Sequence, residues 1–245
     1  MVYNKEFFAL QIEFARAVSA RVGLPIDRAL LDYTNLYIRF GLGRDFDHSN
    51  PIWRRYVDGL TRTSDVFDWT YRFYLAQGED LRPPATSACF SYAMQGAECV
   101  RIHFRNTEST TTSPLSSDRL PALLGELRSM FGEVKRNEKN VTSVVGTSWL
   151  YNLPAYQRCF PRLYVAGAKV AEPRYRHLSL WGQFLDRTGS LRHDVVQDFK
   201  SRLARLTDLG DLALAFPLQA LAVEAPIAEF YRFYGISADG RRTSE

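Results

Sequence analysis

Basic side chains alternate along one short segment, at positions 101, 103 and 105. Side chains in a β-strand point alternately to its two faces, so Arg101, His103 and Arg105 would share one face, opposite the apolar residues between them. Arginine binds phosphate and carboxylate groups with its planar fork, and histidine transfers protons near neutral pH. The pattern predicts an anion- or cofactor-binding face formed by Arg101 and Arg105, with His103 as a catalytic base. A solvated sheet face, or ion pairs with Glu98 and Glu108, explains the same pattern equally well.

A second polar cluster lies at residues 41–50, between two predicted helices. Asp47 or Asp45 can orient His48 as a catalytic base, and Arg44 can bind an anion. In the more common role of such a segment, its glycines end one helix and its polar side chains make turn and cap bonds for the next. The sequence contains neither GxGxxG nor GKS/T, so this segment does not predict a phosphate-binding loop.

A third cluster follows a β-branched and aromatic run at residues 141–151, which predicts a strand. Ligands in open α/β sheets bind beyond the carboxyl ends of strands, where Ser148, Tyr151 and Asn152 fall. We therefore assign Ser148 and Tyr151 as candidate catalytic residues and Asn152 as a candidate ligand-binding residue. No GxSxG surrounds Ser148, which argues against a hydrolase triad. The alternative for Trp149 and Tyr151 is packing in the core or at its rim.

Composition limits the class of protein and its compartment. The chain has 245 residues, 46% of them hydrophobic, which is enough to bury a core without disulfides. Three cysteines and four histidines show no metal-ligand spacing, so we expect no metal. The N-terminus does not resemble a signal peptide, and charges interrupt every long apolar run, so we expect a cytoplasmic protein without a membrane span.

Arginine outnumbers lysine strongly, since only five of the 31 basic residues are lysine. The arginines are scattered along the chain rather than gathered in a stripe, and the net charge is only +4. We therefore do not expect a nucleic acid as partner. Three arginines, namely Arg44 beside the two aspartates and Arg101 and Arg105 flanking His103, favour a small anionic or acyl-bearing ligand instead.

Periodicity predicts an α+β fold in which a helical N-terminal layer packs on a mixed, partly antiparallel sheet with flanking helices. We expect helices over residues 1–82, and the sheet region over 83–237 in one continuous core with them, before a frayed tail at 238–245. The sheet region is expected to contain a hairpin (88–94 and 99–106), a helix from 120, strands at 141–151 and 178–185, a helix at 196–206, and a last helix after Pro226.

The sequence shows two resemblances, of which the first covers most of the chain. The segments YTNLYIRFGLGRDFD (33–47), SWLYN (148–152), AYQRCFP (155–161) and LSLWGQFLDRTGSLR (178–192) resemble an uncharacterised bacterial protein family, which implies no activity. The order of helices, hairpin ending in RIHFRN, helix and strand ending in SWLYN is similar to that of GNAT-related acyltransferases.

The second resemblance implies an acyl-coenzyme A cofactor lying against the strands near residues 99–106 and 142–150, with arginines meeting its phosphates. The chain departs from these enzymes before Leu120, where Ser-Pro-Leu-Ser-Ser-Asp replaces the glycine-rich turn that holds the pyrophosphate. The function predicted is transfer of an acyl group from a coenzyme A thioester to a small or carrier-bound amine.

Two other functions fit the sequence. One is a non-enzymatic binding or adaptor protein that uses an aromatic helical surface around Tyr33, Tyr37, Trp53 and Trp69 to hold a protein partner. The other is a hydrolase or nuclease built on Asp45 and Asp47, which we rank last.

Overall fold

The computed structural model describes residues 3–77, 88–106, 113–173, 175–208 and 210–237. The chain divides into two compact units: a helical unit, Met1–Pro84 with Glu172–Gln219, and a sheet unit, Ala85–Ala171 with Ala220–Glu245. The helices are α1 (Lys5–Val22), α2 (Ile26–Tyr33), α3 (Leu36–Arg39), α4 (Pro51–Leu60), α5 (Val66–Ala76), α6 (Leu120–Asn137), α7 (Pro154–Gln157), α8 (Arg162–Ala166), α9 (Leu178–Trp181), α10 (His193–Arg205) and α11 (Ile227–Phe233). The strands are β1 (Phe90–Met94), β2 (Cys99–Phe104), β3 (Ser143–Ser148), β4 (Lys169–Val170) and β5 (Leu221–Pro226).

The first helices of the helical unit form where capping residues and apolar spacing predict them. The Asn4 side chain accepts a hydrogen bond from the Phe7 amide and begins α1, and Gly23 ends it with a left-handed φ of 67°. Asn50 accepts bonds from the amides of Ile52 and Trp53 at the start of α4. These local signals explain why the N-terminal helices could be predicted from sequence.

The core of this unit contains part of the aromatic surface proposed for an adaptor. Tyr37 is 0% exposed and Trp53 is 2% exposed, and both pack among the rings of α3, α4 and α5. Tyr33 and Trp69 are half-buried. These four side chains therefore do not form a flat exposed patch, because the helices bury their most apolar rings against one another.

Residues 172–219 were assigned to the sheet region by the sequence but belong to the helical unit. Phe14 of α1 explains this placement, since its ring lies 5.4–5.7 Å from four rings of this later segment. The rings it contacts are those of Tyr175, Trp181, Phe199 and Phe216.

The prediction of a strand at residues 178–185 is wrong. This stretch forms α9 followed by a 3-10 turn, Gly182–Phe184. Leu180, Trp181 and Phe184 are all buried. Their positions differ by one, three and four residues, and this spacing suits one face of a helical turn as well as a strand. The Trp181 indole N–H donates to the Tyr175 carbonyl at 2.6 Å, which fixes the turn locally.

The sheet unit contains a mixed five-stranded sheet in the order β1-β2-β3-β5-β4. β1 and β2 form the predicted antiparallel hairpin, β2 and β3 run parallel, and β5 runs antiparallel to both β3 and β4. The sequence analysis predicted no strand where β5 lies. The α+β fold class is confirmed.

One face of the sheet is covered by the hydrophobic core of the unit. Leu127 and Phe131 of α6 and Phe230 of α11 are buried with Val100 and Val144 of the central strands. The opposite face carries the alternate side chains of each strand. Among the residues described, no helix in the chain is long and apolar enough to cross a membrane.

The carboxylate of Glu126 ties α6 to the edge of the sheet. It accepts hydrogen bonds from the backbone N–H groups of Cys89 (2.8 Å) and Phe90 (3.4 Å), where β1 begins. A side-chain acceptor thus occupies donors that the end of an edge strand would otherwise leave to water.

Candidate functional site

The backbone pairing between the two parallel strands, β2 and β3, ends before either strand does. β2 and β3 pair at only three positions, from Cys99 opposite Ser143 to Arg101 opposite Val145. Beyond them β2 remains paired with β1 up to Phe104, and β3 remains paired with β5 up to Ser148. The last three residues of each strand therefore make no ladder with the other strand. We call this unpaired stretch, at the carboxyl ends of both strands, the opening.

Arg101 bridges the two strands where their pairing ends. Its Nη1 donates to the Thr147 hydroxyl of β3 at 3.2 Å, and its Nε and Nη2 donate to the Gln95 side-chain carbonyl at 2.9 and 2.5 Å. The guanidinium is thus held by neutral acceptors on both sides. The sequence predicted Arg101 but not Thr147 or Gln95. Alternation along β3 identifies Thr147 once the strands are aligned. Val145 is the register partner of Arg101 and shares its face of the sheet, and Thr147, two residues further on, lies on that face as well.

His103 and Arg105 continue along the same face toward the opening. His103 is half-buried and lies opposite Ser91 of the hairpin, while Arg105 is exposed and its backbone N–H donates to Cys89. The structure brings Arg101, His103 and Arg105 to one face, as their alternation predicts. Glu108, one of their proposed ion-pair partners, lies outside the described residues.

Ser148 and Asn152 make local bonds in the 3-10 turn that follows β3, Trp149–Asn152. The Ser148 hydroxyl accepts from the Leu150 amide at 3.1 Å, and the Asn152 side-chain amide donates to the Trp149 carbonyl at 2.7 Å. Both side chains therefore stabilise the turn that ends the strand. Ser148 also lies on the same face of the sheet as Gly146, whereas the Arg101 side chain lies on the other face.

Tyr151 lies in the core rather than at the rim of a site. It is 2% exposed, and its hydroxyl is hydrogen-bonded to that of Tyr164 at 2.9 Å. Burial raises the pKa of both phenols well above the usual range, so neither ionises near neutral pH. The two hydroxyls fit under Gly146, where a Cβ atom would lie 2.0 Å from the Tyr151 oxygen. The packing alternative therefore describes Tyr151.

The loop at residues 41–50 belongs to the helical unit, not to the unit that contains the opening. Asp47 accepts bonds from the Ser49 amide (2.8 Å) and hydroxyl (2.7 Å). These bonds, and to a smaller extent the charge of His48, lower the pKa of the Asp47 carboxyl. Arg44, Asp47 and His48 are all exposed. The turn-and-cap interpretation accounts for Asp47, Ser49 and Asn50.

The lowered pKa of Asp47 predicts a pH-dependent contribution to stability. The contribution is present above the ordinary pKa of 3.8 and is lost as pH falls through the lower folded-state pKa. Asp47→Asn keeps an acceptor but removes the titration. We expect the stability difference between wild type and variant to shrink between about pH 5 and pH 2, measured by urea unfolding at each pH. An equal difference throughout this range would contradict the role assigned to the ionised carboxylate.

The amino-terminal end of α6 has features that fit an anionic group. The helix has no side-chain cap, and the Arg158 guanidinium lies beside it, donating to the Ser117 hydroxyl at 3.2 Å and to the Leu115 carbonyl at 2.7 Å. The Ser116 hydroxyl and the Arg158 Nε are buried without a hydrogen-bond partner in the described structure. The Leu120 N–H already donates to the Ser117 carbonyl and Pro121 has no N–H, so the donors suited to phosphate at this helix start are the Ser116 hydroxyl and the guanidinium. No pattern in the sequence singles out Arg158, which lies 38 residues after Leu120.

The described residues contain no group of three metal-ligating side chains. Comparison of the chain with protein-family models, curated proteins and solved structures finds no match. The fold and the site define an α+β protein whose mixed sheet opens between two parallel strands.

Proposed function

We propose that the protein is an acyltransferase that binds an acyl-coenzyme A thioester in the opening between β2 and β3 and transfers the acyl group to an amine. The observation that carries this proposal is the end of β2–β3 pairing after three positions. Ligands in open α/β sheets bind at the carboxyl ends of parallel strands that a helix connects, and the opening lies at such strand ends.

The unpaired strand edges suit the chemistry of the pantetheine arm. Residues 102–104 of β2 and 146–148 of β3 make no pairs with each other across the opening. An extended chain that contains amide groups binds strand edges through their N–H and C=O groups. The pantetheine arm contains two such amides, so it can occupy the opening as a short strand would.

The phosphates would be held at the start of α6 by Arg158 and the Ser116 hydroxyl, whose buried donors have no partner in the described structure. This set replaces the glycine-rich turn that the sequence lacks. Arg101 is already bonded to Thr147 and Gln95, so its role is to position the two strands. His103, on the same face, would accept the proton of the attacking amine.

A ligand titration tests the proposal. Acetyl-coenzyme A and longer acyl-coenzyme A thioesters should raise the melting temperature of the full chain, because a ligand that binds the folded state stabilises it. Release of free thiol with a panel of amines would report transfer. An absence of stabilisation at millimolar thioester would overturn the proposal.

We expect Arg158→Gln to weaken binding of acyl-coenzyme A by about tenfold or more, because it removes a charge-assisted donor to phosphate. Binding of acyl-pantetheine, which has no phosphate, should be unchanged in the same variant. Arg128→Gln on the exposed surface of α6 is the matched control. Isothermal titration calorimetry measures each affinity, and equal weakening of both ligands would contradict the role of Arg158 in phosphate binding.

A further inference from the structure

We propose that a cleft between α4 and α5 in the helical unit is a second binding site, for a small anion that carries a planar ring. The cleft has a volume of about 370 Å³, at the lower end of the range for small-molecule sites. It belongs to a different unit from the strand opening, so it does not depend on the proposed acyl transfer. Its lining residues are Arg55, Asp58, Gly59, Arg62, Thr63 and Trp69.

The indole of Trp69 forms one wall of the cleft and is fixed in orientation. Its N–H donates to the Tyr56 carbonyl at 3.0 Å, and its ring also packs on Phe73, with centroids 5.6 Å apart. A Cβ atom at Gly59 would lie 2.1 and 2.3 Å from two indole carbons. Glycine is disfavoured inside a helix, but only glycine allows this approach. The cleft thus contains a rigid, half-buried aromatic surface on which a flat ring can stack.

Two guanidinium groups flank this surface, and neither is paired with a carboxylate of the described residues. In the part of the chain that the structure describes, neither Arg55 nor Arg62 forms an ion pair, although Asp58 lies in the same cleft. Arg55 lies over the Phe73 ring at 5.6 Å, which orders its side chain. By contrast, Arg72 on the adjacent helix is paired with Asp68. Planar guanidinium forks are suited to phosphate or carboxylate oxygens.

Asp58 adds an acceptor and a negative charge to the cleft. Its carboxylate favours a ring that carries an N–H donor. The combined chemistry is a planar ring with an amino group and one oxyanion. Adenosine monophosphate combines such a ring with a phosphate as the oxyanion, and 4-aminobenzoate combines one with a carboxylate.

Calorimetric titration of the full chain tests the site with four probes. Adenosine monophosphate or 4-aminobenzoate should bind, and the stronger of them identifies the oxyanion. Adenosine, which has only the ring, and inorganic phosphate, which has only the anion, should bind at least tenfold more weakly. Arg55→Gln and Arg62→Gln should each weaken the better ligand by about tenfold. Arg54→Gln, an exposed neighbour on α4 outside the cleft, should leave its affinity unchanged.

Two further variants locate the binding. The better ligand should quench tryptophan fluorescence in the wild type, and Trp69→Phe should abolish the quenching while a stacking ring remains. Arg158→Gln, at the start of α6, should leave the affinity of the better ligand unchanged. A loss of affinity in this variant would place the ligand in the sheet unit instead. Failure of both ring-bearing anions to bind, or inorganic phosphate binding as tightly as either, would overturn the proposal. Full affinity in the Arg55→Gln/Arg62→Gln double variant would also overturn it.

Discussion

Alanine in place of Gly146 is expected to lower the free energy of unfolding by about 3 kcal/mol. The added Cβ would lie 2.0 Å from the Tyr151 hydroxyl oxygen and 2.5 Å from that of Tyr164. Both rings are enclosed by other aromatic side chains, so neither can move aside without disturbing the core. Any shift also separates the two hydroxyls, which are buried and hydrogen-bonded to each other, and a buried hydroxyl that loses its partner lowers the free energy of unfolding further.

The measurement is urea unfolding of the full chain, followed by circular dichroism. Gly125→Ala is the matched control, because Gly125 is an exposed glycine inside α6 and a Cβ there would meet nothing within 4 Å. That variant should gain about 0.5 to 1 kcal/mol from helix propensity. If Gly146→Ala unfolded at the same urea concentration as the wild type, the close packing of the tyrosine hydroxyls under β3 would be wrong.

The two faces of β2 could be predicted because they follow from local alternation. Val100 and Ile102 are buried, whereas Arg101 and His103 are half-buried and Arg105 is exposed. The position at which β2 stops pairing with β3 could not be predicted from alternation. It depends on register between segments more than 40 residues apart, and no local pattern records that register.

A shift of one position separates the predicted site from the observed contacts at β3. The sequence argument chose Ser148 for its place near the strand end, but Thr147 has the side chain that meets Arg101. Because successive side chains point to opposite faces, the choice between them requires the strand to be aligned with β2. The same uncertainty applied to Tyr151, since a tyrosine at a strand end suits a rim as well as a core.

The placement of residues 172–219 was beyond sequence reasoning for a different reason. Short apolar runs such as 178–185 fit a strand and a buried helical turn equally well, so periodicity does not decide between them. Tertiary packing decides, since Phe14 provides an aromatic cluster for Trp181 and its neighbours. The return of the chain to the helical unit thus depends on long-range contacts that alternation and capping do not encode.

The Phe14 cluster predicts the second large effect on stability. Phe14→Ala should lower the free energy of unfolding by about 4 kcal/mol, because it removes a fully buried ring and leaves a cavity bounded by four other rings. Phe14→Leu should lose less, since it keeps most of the apolar volume. Leu75→Ala, at a side chain that is 50% exposed on α5, should change stability by no more than about 0.5 kcal/mol.

Urea unfolding of the three variants measures these differences, and near-ultraviolet circular dichroism reports the aromatic packing directly. Since Phe14 joins α1 to rings from 175 to 216, its removal should also reduce the near-ultraviolet signal of Trp181, which contacts it edge to face at 5.5 Å. Loss of stability with an unchanged aromatic spectrum would mean that the cavity forms without loosening the later segment. Loss of both would mean that this one ring holds residues 172–219 to the N-terminal helices.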